Sequence, residues 1–357
     1  MKRAGVKERL ARCRVARLFA AALLIPAALP SSVAALGTDS GDLAALLKAI
    51  DYGDKDANDW DLPEQATTAA FGAAIDALLM GNPASADALA AGIGYQVVLY
   101  TDTARKPNRT YHLLREVNPL PSPLFLGGGT YVVNPAGLPL AIEAPHPVSD
   151  LFTETEAIEI FFRSNAKLLL LSGTHRENST LPSQCTDGSY RVSDASHSLY
   201  PLLFEAHARA SLFDPNLVFV QLHGFGSASL ATLQSQCGTT DDRLVNLSEG
   251  VTYHADLSGQ SFLAQLTRAI NADGKIKACV YGNQTSSLGG TWTTTGRFTN
   301  QSPDPCAQNA ASSSRRFVHL EQSYRVRSSY RPDMARYITD TANQYFNVKT
   351  TGGTRAK

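Results

Sequence analysis

The chain reads Leu138-Pro-Leu-Ala-Ile-Glu-Ala144, then Lys167-Leu-Leu-Leu-Leu-Ser172, then Leu217-Val-Phe-Val-Gln-Leu222. Each of these apolar runs has the length of a β-strand. Helical spacing of apolar residues over 153–165 and 197–212 places one helix between successive strands. Strands that alternate with helices predict a mostly parallel sheet with helices on both faces, and ligand sites in such sheets lie at the carboxyl ends of the strands.

The same pattern continues outward on both sides of this stretch. Further strands are predicted over 95–100, 110–115, 130–134, 243–247, 276–280 and 317–321, and further helices over 261–272 and 332–346. We therefore predict a three-layer α/β/α fold with a mixed, mostly parallel sheet. A small helical segment is expected before it, because Ala- and Leu-rich stretches at 42–50 and 69–79 have helical spacing.

We divide the chain into three parts. Residues 1–35 are predicted to be a signal peptide, residues 36–95 the N-terminal helical segment, and residues 96–350 an α/β hydrolase-like domain. Within this domain the Gly-, Ser-, Thr- and Asn-rich stretch 282–314 is expected to form a surface loop or a polar hairpin insertion.

The first residues have the composition of a cleavable secretory signal. Seven Lys and Arg residues precede an apolar run over 18–29, and Ser32-Val33-Ala34 supplies the small residues that signal peptidase accepts. The run is too short for a stable membrane anchor, so we predict cleavage near Ala34 or Ala35 and a secreted or periplasmic protein without membrane contact after cleavage. The alternative is an uncleaved signal that leaves one N-terminal helix in the bilayer.

The charge of the chain changes when this signal is removed. The full chain has 32 Lys and Arg and 32 Asp and Glu, and the chain without its signal keeps 25 basic and 31 acidic residues. Nucleic acids and anionic membranes both select clustered basic residues, so neither is expected as a partner. We expect a small-molecule or peptide-like substrate instead.

Four cysteines remain once Cys13 leaves with the signal. They are Cys185, Cys237, Cys279 and Cys306. An even number in an oxidising compartment predicts two disulfides. Of the three possible pairings we favour Cys185–Cys237 and Cys279–Cys306. A bridge between Cys279 and Cys306 would close the polar stretch between its own ends. No two of the four have the close spacing of structural zinc ligands.

Polar side chains follow the predicted strands where the strands end. His146 and Asp150 follow the first of the three opening runs, His175 and Arg176 the second, and His223 the third. Two imidazoles and a carboxylate are the ligands that catalytic zinc takes, with a fourth position left for water. We predict that His146, Asp150 and His223 bind Zn²⁺. The alternative for each histidine alone is an ordinary hydrogen-bonded residue at a strand end.

The remaining candidates are a base and groups that contact substrate. Glu321 follows the strand run 317–320 and can take a proton from water and pass it to a leaving amine; its alternative is an acid paired with a nearby arginine. Arg176 can hold a substrate carboxylate in a bidentate contact, and its alternative is a structural salt bridge. His175 and Asp194 are predicted to line the same crevice, and the alternative for Asp194 is a cap of the helix that follows it.

These residues lie in motifs that resemble a known family. The motifs are Glu143-Ala-Pro-His146-Pro-Val-Ser-Asp150, Ser172-Gly-Thr-His175-Arg176, Val220-Gln-Leu-His223-Gly-Phe225 and His319-Leu-Glu321. Their succession over 130–346 resembles the N-formylglutamate amidohydrolase and poly-γ-glutamate hydrolase group of the zinc-carboxypeptidase-like fold. The resemblance implies zinc held by His146, His223 and an acid shortly after His146, with Glu321 as the general base.

The pattern departs from carboxypeptidases proper at the carboxylate ligand. Carboxypeptidases carry His-x-x-Glu, whereas here Asp150 lies four residues after His146 and Glu154 follows four residues later. The carboxylate ligand is therefore open between Asp150, which we prefer, and Glu154.

Taken together, these features predict an exported zinc-dependent hydrolase that cleaves an amide or peptide-like bond next to an acidic group. No Gly-x-Ser-x-Gly elbow favours serine catalysis, and no glycine-rich phosphate motif follows a strand. One alternative is a secreted binding protein on an inactive hydrolase fold, with residues 282–314 as its contact surface. Another is a metal-dependent phosphate-ester hydrolase.

Overall fold

A ten-stranded sheet forms the centre of the computed structural model, which describes residues 36–352. The strands are β1 (Gly37–Gly41), β2 (Tyr95–Asp102), β3 (Arg109–Glu116), β4 (Thr130–Val133), β5 (Leu138–Ala144), β6 (Ala166–Leu171), β7 (Val218–Phe225), β8 (Leu244–Ser248), β9 (Lys277–Val280) and β10 (Phe317–Ser323). The predicted signal peptide lies outside the described residues.

Helices cover the sheet on both faces. They are α1 (Leu43–Lys48), α2 (Gln65–Leu79), α3 (Pro83–Ala91), α4 (Thr153–Ser164), α5 (Leu202–Phe213), α6 (Ser227–Cys237), α7 (Phe262–Asp273), α8 (Thr294–Thr299), α9 (Tyr324–Ser329) and α10 (Arg331–Gly352). No helix in the described part of the chain is both long and apolar enough to cross a membrane.

The sheet is mixed, with the order β1-β2-β3-β4-β6-β5-β7-β10-β8-β9. Five of its neighbouring pairs are parallel and four are antiparallel. The parallel block β6-β5-β7-β10 lies in the middle, so the carboxyl ends of these four strands meet at one edge of the sheet.

Strand β7 shows how the sheet divides the core. Successive side chains of a strand point to opposite faces. Val218, Val220 and Leu222 therefore face one apolar layer with α1, α4, α7 and α10. Phe219 and the preceding Leu217 face the other, with α2, α3 and α5. The predicted three-layer α/β/α fold with a mixed, mostly parallel sheet is confirmed.

Local signals account for where several elements begin and end. Helix α7 starts after Ser261, whose hydroxyl accepts a hydrogen bond from the backbone N–H of Ala264 at 3.2 Å, and it stops before Gly274, which has φ +72°. The helix predicted over 197–212 begins only at Leu202. Pro201 explains the difference, because the residue before a proline is disfavoured in helical conformation.

The two predicted disulfides are present, but their favoured pairing is wrong. Cys185 is bonded to Cys306, with Cα atoms 4.6 Å apart, and Cys237 is bonded to Cys279, with Cα atoms 6.1 Å apart. Cys237 ends α6 and Cys279 lies in β9, and both pack with Leu233 and Leu244 in one small apolar cluster. Spatial neighbourhood across the sheet, rather than distance along the chain, decides the partners. Two disulfides fit a protein of an oxidising compartment.

The polar stretch 282–314 lies partly in the interior rather than only at the surface. It contains α8, in which every residue except Phe298 is buried. Its backbone is tied to the long segment between β6 and α5, since Thr294 N–H donates to the carbonyl of Ser196 at 2.8 Å. The bridge between Cys185 and Cys306 fixes the stretch to the same segment.

Candidate metal centre

Two parallel strands and one tight turn bring the predicted ligands together. His146 follows two residues after β5, and His223 lies near the end of the neighbouring β7. The chain after His146 turns back sharply, with Val148 at φ +54°, and the N–H of Asp150 donates to the carbonyl of His146 at 3.0 Å. A positive φ is unfavourable for a β-branched residue, so the turn is held by its surroundings.

Three potential ligand atoms lie close to one another between this turn and the end of β7. His146 Nδ1 is 3.1 Å from Asp150 Oδ2 and 3.1 Å from His223 Nδ1. His223 Nδ1 is 3.4 Å from Asp150 Oδ2. The three side chains are between 1% and 3% exposed. His146, Asp150 and His223 therefore form a group that can hold a metal ion.

Hydrogen bonds on the far side of each ring fix which nitrogen carries the proton. His146 Nε2 lies 3.0 Å from Asp194 Oδ1, and a carboxylate can only accept. His223 Nε2 lies 2.9 Å from Gln221 Oε1, which also only accepts. Both Nε2 atoms therefore donate. His223 Nδ1 is left with a lone pair, whereas His146 Nδ1 also faces a carboxylate and either donates a second proton to Asp150 or binds a metal ion. Three converging lone pairs require a cation between them, either a proton or a metal ion.

The spacing of these atoms fits tetrahedral zinc. Zinc binds histidine nitrogen and carboxylate oxygen at about 2.0–2.2 Å, so its tetrahedral ligands lie roughly 3.3–3.5 Å from one another. The separations among His146, Asp150 and His223 are 3.1 Å, 3.1 Å and 3.4 Å, so one lies within this range and two lie just below it. Metal-ligating histidines also usually donate their second N–H to a carboxylate or another oxygen, as both rings do here. The residues present fit the metal that the resemblance implies.

Both acids of the centre are held in their charged form. Burial alone would raise the pKa of Asp150, but without a metal the charge of protonated His146 and the guanidinium of Arg176 hold that pKa well below its usual range. Burial likewise opposes the charge of Asp194, and His197 and His146 lower its pKa well below the usual range. The guanidinium of Arg176 forms a short ion pair with Asp150 Oδ1.

Glu154, the other candidate for the carboxylate ligand, lies apart from the two imidazoles. It belongs to the first turn of α4 and is not in the group formed by His146, Asp150 and His223. Burial raises the pKa of Glu154, and its Oε2 has no hydrogen-bond partner among the described residues. Asp150 is thus the acid beside the two rings.

Glu321 lies on the strand next to His223. The register of β10 on β7 places the two residues directly opposite each other, so their side chains emerge on the same face of the sheet. The Glu321 side chain is 13% exposed, and its Oε1 is 3.4 Å from His319 Nε2. The ring of His319 packs against that of His223, with centroids 4.4 Å apart. Neither nitrogen of His319 has a hydrogen-bond partner among the described residues.

The predicted substrate-contacting residues line one cavity of about 570 Å³ beside the centre. Arg176, His175 and Asp194 all contribute to its wall, together with Lys55 and Arg191. Asp194 already accepts hydrogen bonds from His146 and from His197 Nδ1 at 3.1 Å, so it holds the first ligand as well as lining the cavity. His175 Nδ1 accepts the backbone N–H of Glu177 at 3.0 Å.

Some residues of the site are not among those predicted from the sequence. Gln221 lies two residues before His223, and His319 lies two residues before Glu321. Each is therefore on the same face of the sheet as the predicted site residue that follows it. Each is a polar residue inside a mostly apolar strand, and that alternation is the signal that would have identified it. Tyr190, whose ring stacks on His197 with centroids 3.7 Å apart, lies in a loop and gives no such signal.

Comparison with known proteins adds two distant structural neighbours. No protein-family model matches the chain. No curated protein matches it either. A bacteriophage poly-γ-glutamate hydrolase is similar with a TM-score of 0.35 and 18% identity, over 58% of this chain and 85% of that one. A candidate carboxypeptidase A from Shewanella denitrificans is similar with a TM-score of 0.34 and 12% identity, over 60% of this chain and 58% of that one.

These similarities are too low to carry an argument about activity. The chain spans less than two thirds of the length of the Shewanella protein. The functional conclusion therefore depends on the geometry around His146 and His223.

Proposed function

We propose that this protein is an exported zinc-dependent hydrolase that cleaves an amide or peptide-like bond next to an acidic group. The observation that carries the proposal is the convergence of three lone pairs from His146, Asp150 and His223, with the second nitrogen of each ring already hydrogen-bonded. Zinc held there would polarise the scissile carbonyl and make water nucleophilic at neutral pH.

The charges around the centre support a bound cation. Arg176 lies among three carboxylates, those of Asp150, Asp194 and Glu321, whose charges together outweigh burial and raise its pKa. A second guanidinium, that of Arg327, also interacts with Asp150 and Glu321. Two arginines therefore face three carboxylates, and a cation beside Asp150 would balance the remaining negative charge.

The chain's own residues would then complete the reaction. The Glu321 carboxylate, on the same sheet face as His223, takes the proton of the attacking water and passes it to the leaving amine. The resulting amine leaves through the open cavity beside Arg176. Proton transfer of this kind contributes about 10²- to 10⁴-fold to a hydrolytic rate.

The cavity wall favours a substrate that carries an acidic group. Lys55, Arg176 and Arg191 contribute three positive charges, against the negative charges of Glu177 and Asp194. Arg176 uses one nitrogen for Asp150, and its planar fork can present the others to a carboxylate. The expected substrate is an extracellular or cell-wall-derived amide with a carboxylate near the scissile bond.

Metal analysis of the purified protein tests the proposal. We expect one zinc per chain in the wild type and loss of stoichiometric zinc in the His223→Ala variant. The matched control is His254→Ala, because His254 is an exposed histidine outside the candidate centre. Full zinc retention by His223→Ala would overturn the ligand assignment.

A panel of substrates separates the amide hydrolase from a phosphate-ester hydrolase, since the three cations of the cavity wall would also attract phosphate. The panel contains γ-linked and α-linked glutamyl peptides, neutral peptides and aryl phosphates. Faster cleavage of the glutamyl peptides supports the proposal, and cleavage of aryl phosphates alone would replace it.

A further inference from the structure

A chain of buried polar side chains holds His223 from the side opposite the candidate metal centre. His223 Nε2 lies 2.9 Å from Gln221 Oε1, and Gln221 Nε2 lies 3.0 Å from Glu143 Oε2. Glu143 Oε1 in turn lies 2.7 Å from His207 Nδ1. Gln221, Glu143 and His207 are all 0% exposed. A buried chain of this kind has no bulk water to replace a lost partner.

The amide of Gln221 can face His223 in only one orientation while Glu143 is charged. The Glu143 carboxylate accepts hydrogen bonds and cannot donate, so it must face the NH₂ group of the amide. The Thr295 hydroxyl, 2.9 Å from the same nitrogen, gives that NH₂ group a second partner. The amide oxygen is left to face His223, whose Nε2 must then carry the hydrogen.

We propose that Gln221 is a positioning residue that fixes His223 as the Nε2–H tautomer, and that the charge of Glu143 keeps the Gln221 amide from turning over. This inference rests on the proposed zinc site. If the amide turned over, its NH₂ group would face His223 Nε2, and the ring hydrogen would move to Nδ1. A protonated Nδ1 has no lone pair for a metal, so this rotation of the Gln221 amide would remove one metal ligand.

The polar stretch 282–314 completes this support. Thr295 and Thr299, both on α8, contact Gln221 and His207, and Thr299 Oγ1 lies 2.6 Å from His207 Nε2. The rings of Phe219 and Phe317 pack against His207, with centroids 3.9 Å and 6.2 Å away, and exclude water from the chain. The stretch therefore supports the site from the same face of the sheet as His223.

Zinc affinity tests the inference directly. Gln221→Met removes the acceptor for His223 and preserves the size of the side chain. Glu143→Gln removes only the charge and leaves every predicted ligand unchanged. Loss of an outer partner of a metal ligand typically weakens metal binding by about 10- to 100-fold, and we expect losses in this range for both variants. Competition with a chromophoric chelator measures them.

A variant that carries both changes shows whether Glu143 acts through Gln221. If it does, the double variant binds zinc no more weakly than Gln221→Met alone, because the charge has no amide left to orient. Additive losses would overturn this part of the inference.

The matched control is a second buried glutamine–glutamate pair on the opposite face of the sheet. Gln322 Nε2 lies 2.7 Å from Glu156 Oε2, and both side chains are 0% exposed. Gln322→Met thus removes the same kind of buried contact without touching a ring of the centre. We expect its zinc affinity to equal that of the wild type, and an equal loss would show that the effect of Gln221→Met is only structural.

The tautomer of His223 gives a readout that does not need metal. ¹⁵N NMR of the zinc-free wild type should show the Nε2–H form, and Glu143→Gln should shift His223 toward the Nδ1–H form. If the wild type binds zinc and both variants keep its affinity, the inference is wrong and the proposed function stands. If the wild type binds no zinc, the proposed function is wrong, and an unchanged tautomer in Glu143→Gln would overturn the inference as well.

Discussion

Two buried glutamates of this protein differ in the number of their hydrogen-bond partners. Glu143 and Glu156 are both fully buried carboxylic acids, on opposite faces of the sheet. Glu143 has a histidine and an amide as partners, one on each oxygen. Glu156 has only the amide of Gln322, on Oε2, and its Oε1 has no partner among the described residues. Burial raises the pKa of Glu156 to about 8.

This shift predicts a pH dependence of stability. The ordinary pKa of the group is 4.5, so between pH 4.5 and pH 8 the folded protein keeps a proton on Glu156 that the unfolded chain releases. Stability should therefore fall as the pH rises through this window, by at most ~1.4 kcal/mol per pH unit from this group. In Glu156→Gln this contribution is absent. Urea unfolding of both proteins at pH 5, 6.5 and 8 measures it, and parallel pH profiles would contradict the expectation.

The proposed proton transfer depends on a single side chain, that of Glu321. Glu321→Gln keeps the size of the side chain and removes its ability to accept a proton, so we expect the rate of amide hydrolysis to fall by about 10²- to 10⁴-fold. Zinc content should stay at the wild-type value, because Glu321 is not in the group formed by His146, Asp150 and His223. Hydrolysis of the best peptide of the substrate panel measures the rate. Glu205→Gln, on α5, is the control, and a Glu321→Gln variant with wild-type activity would exclude this base.

At the scale of elements, the site depends on segments that lie far apart in the chain. The turn after β5 and strand β7 supply the two imidazoles, and α8 supplies hydroxyls behind them. The bridge between Cys185 and Cys306 joins the stretch that contains α8 to the loop that carries Asp194. The other bridge, between Cys237 and Cys279, joins α6 to β9 at the far edge of the sheet.

The two bridges should therefore differ in their effect on the site. Removing a native disulfide typically costs about 2–5 kcal/mol, and we expect losses in this range for both double Ser variants. Only Cys185→Ser with Cys306→Ser should also weaken zinc binding, because that bridge holds both Asp194 and α8. Urea unfolding and chelator competition measure the two effects. Equal zinc affinities of the two double variants would contradict the distinction.

At the scale of the whole molecule, the export prediction has consequences for the mature protein. Cleavage near Ala34 or Ala35 would remove Cys13 and leave four cysteines, all of them paired in the structure. Expression of the full chain in a secreting host should therefore yield a protein that starts near residue 36 and has no free thiol after denaturation. Intact mass and thiol titration measure both. A retained N-terminus would favour the anchored alternative.

Much of the architecture could be predicted because it depends on local periodicity. The apolar runs over 138–144, 167–172 and 217–222 correspond within a few residues to β5, β6 and β7, since buried strands require continuous apolar residues wherever they lie. The short edge strand β1 and helices such as α8 have no such pattern and depend on neighbours that are distant in sequence.

The residue types of the candidate site could be predicted for a similar reason. His146, Asp150 and His223 stand at or just past strand ends, and parallel neighbouring strands bring such positions to one edge. The partners of these residues could not be predicted, because Gln221 and Glu143 meet only through the register of β5 on β7.

The sequence by itself determined which segments form the sheet apart from the edge strand β1, that two disulfides form, and which chemical groups lie at its carboxyl edge. Only the tertiary structure decided that Cys185 pairs with Cys306, that Asp150 rather than Glu154 lies beside the two rings, and that both rings present Nδ1. The physical reason is the sequence separation over which each kind of interaction acts. Periodicity acts over a few residues, whereas disulfide partners, ring orientation and buried hydrogen bonds depend on contacts between segments that are tens of residues apart.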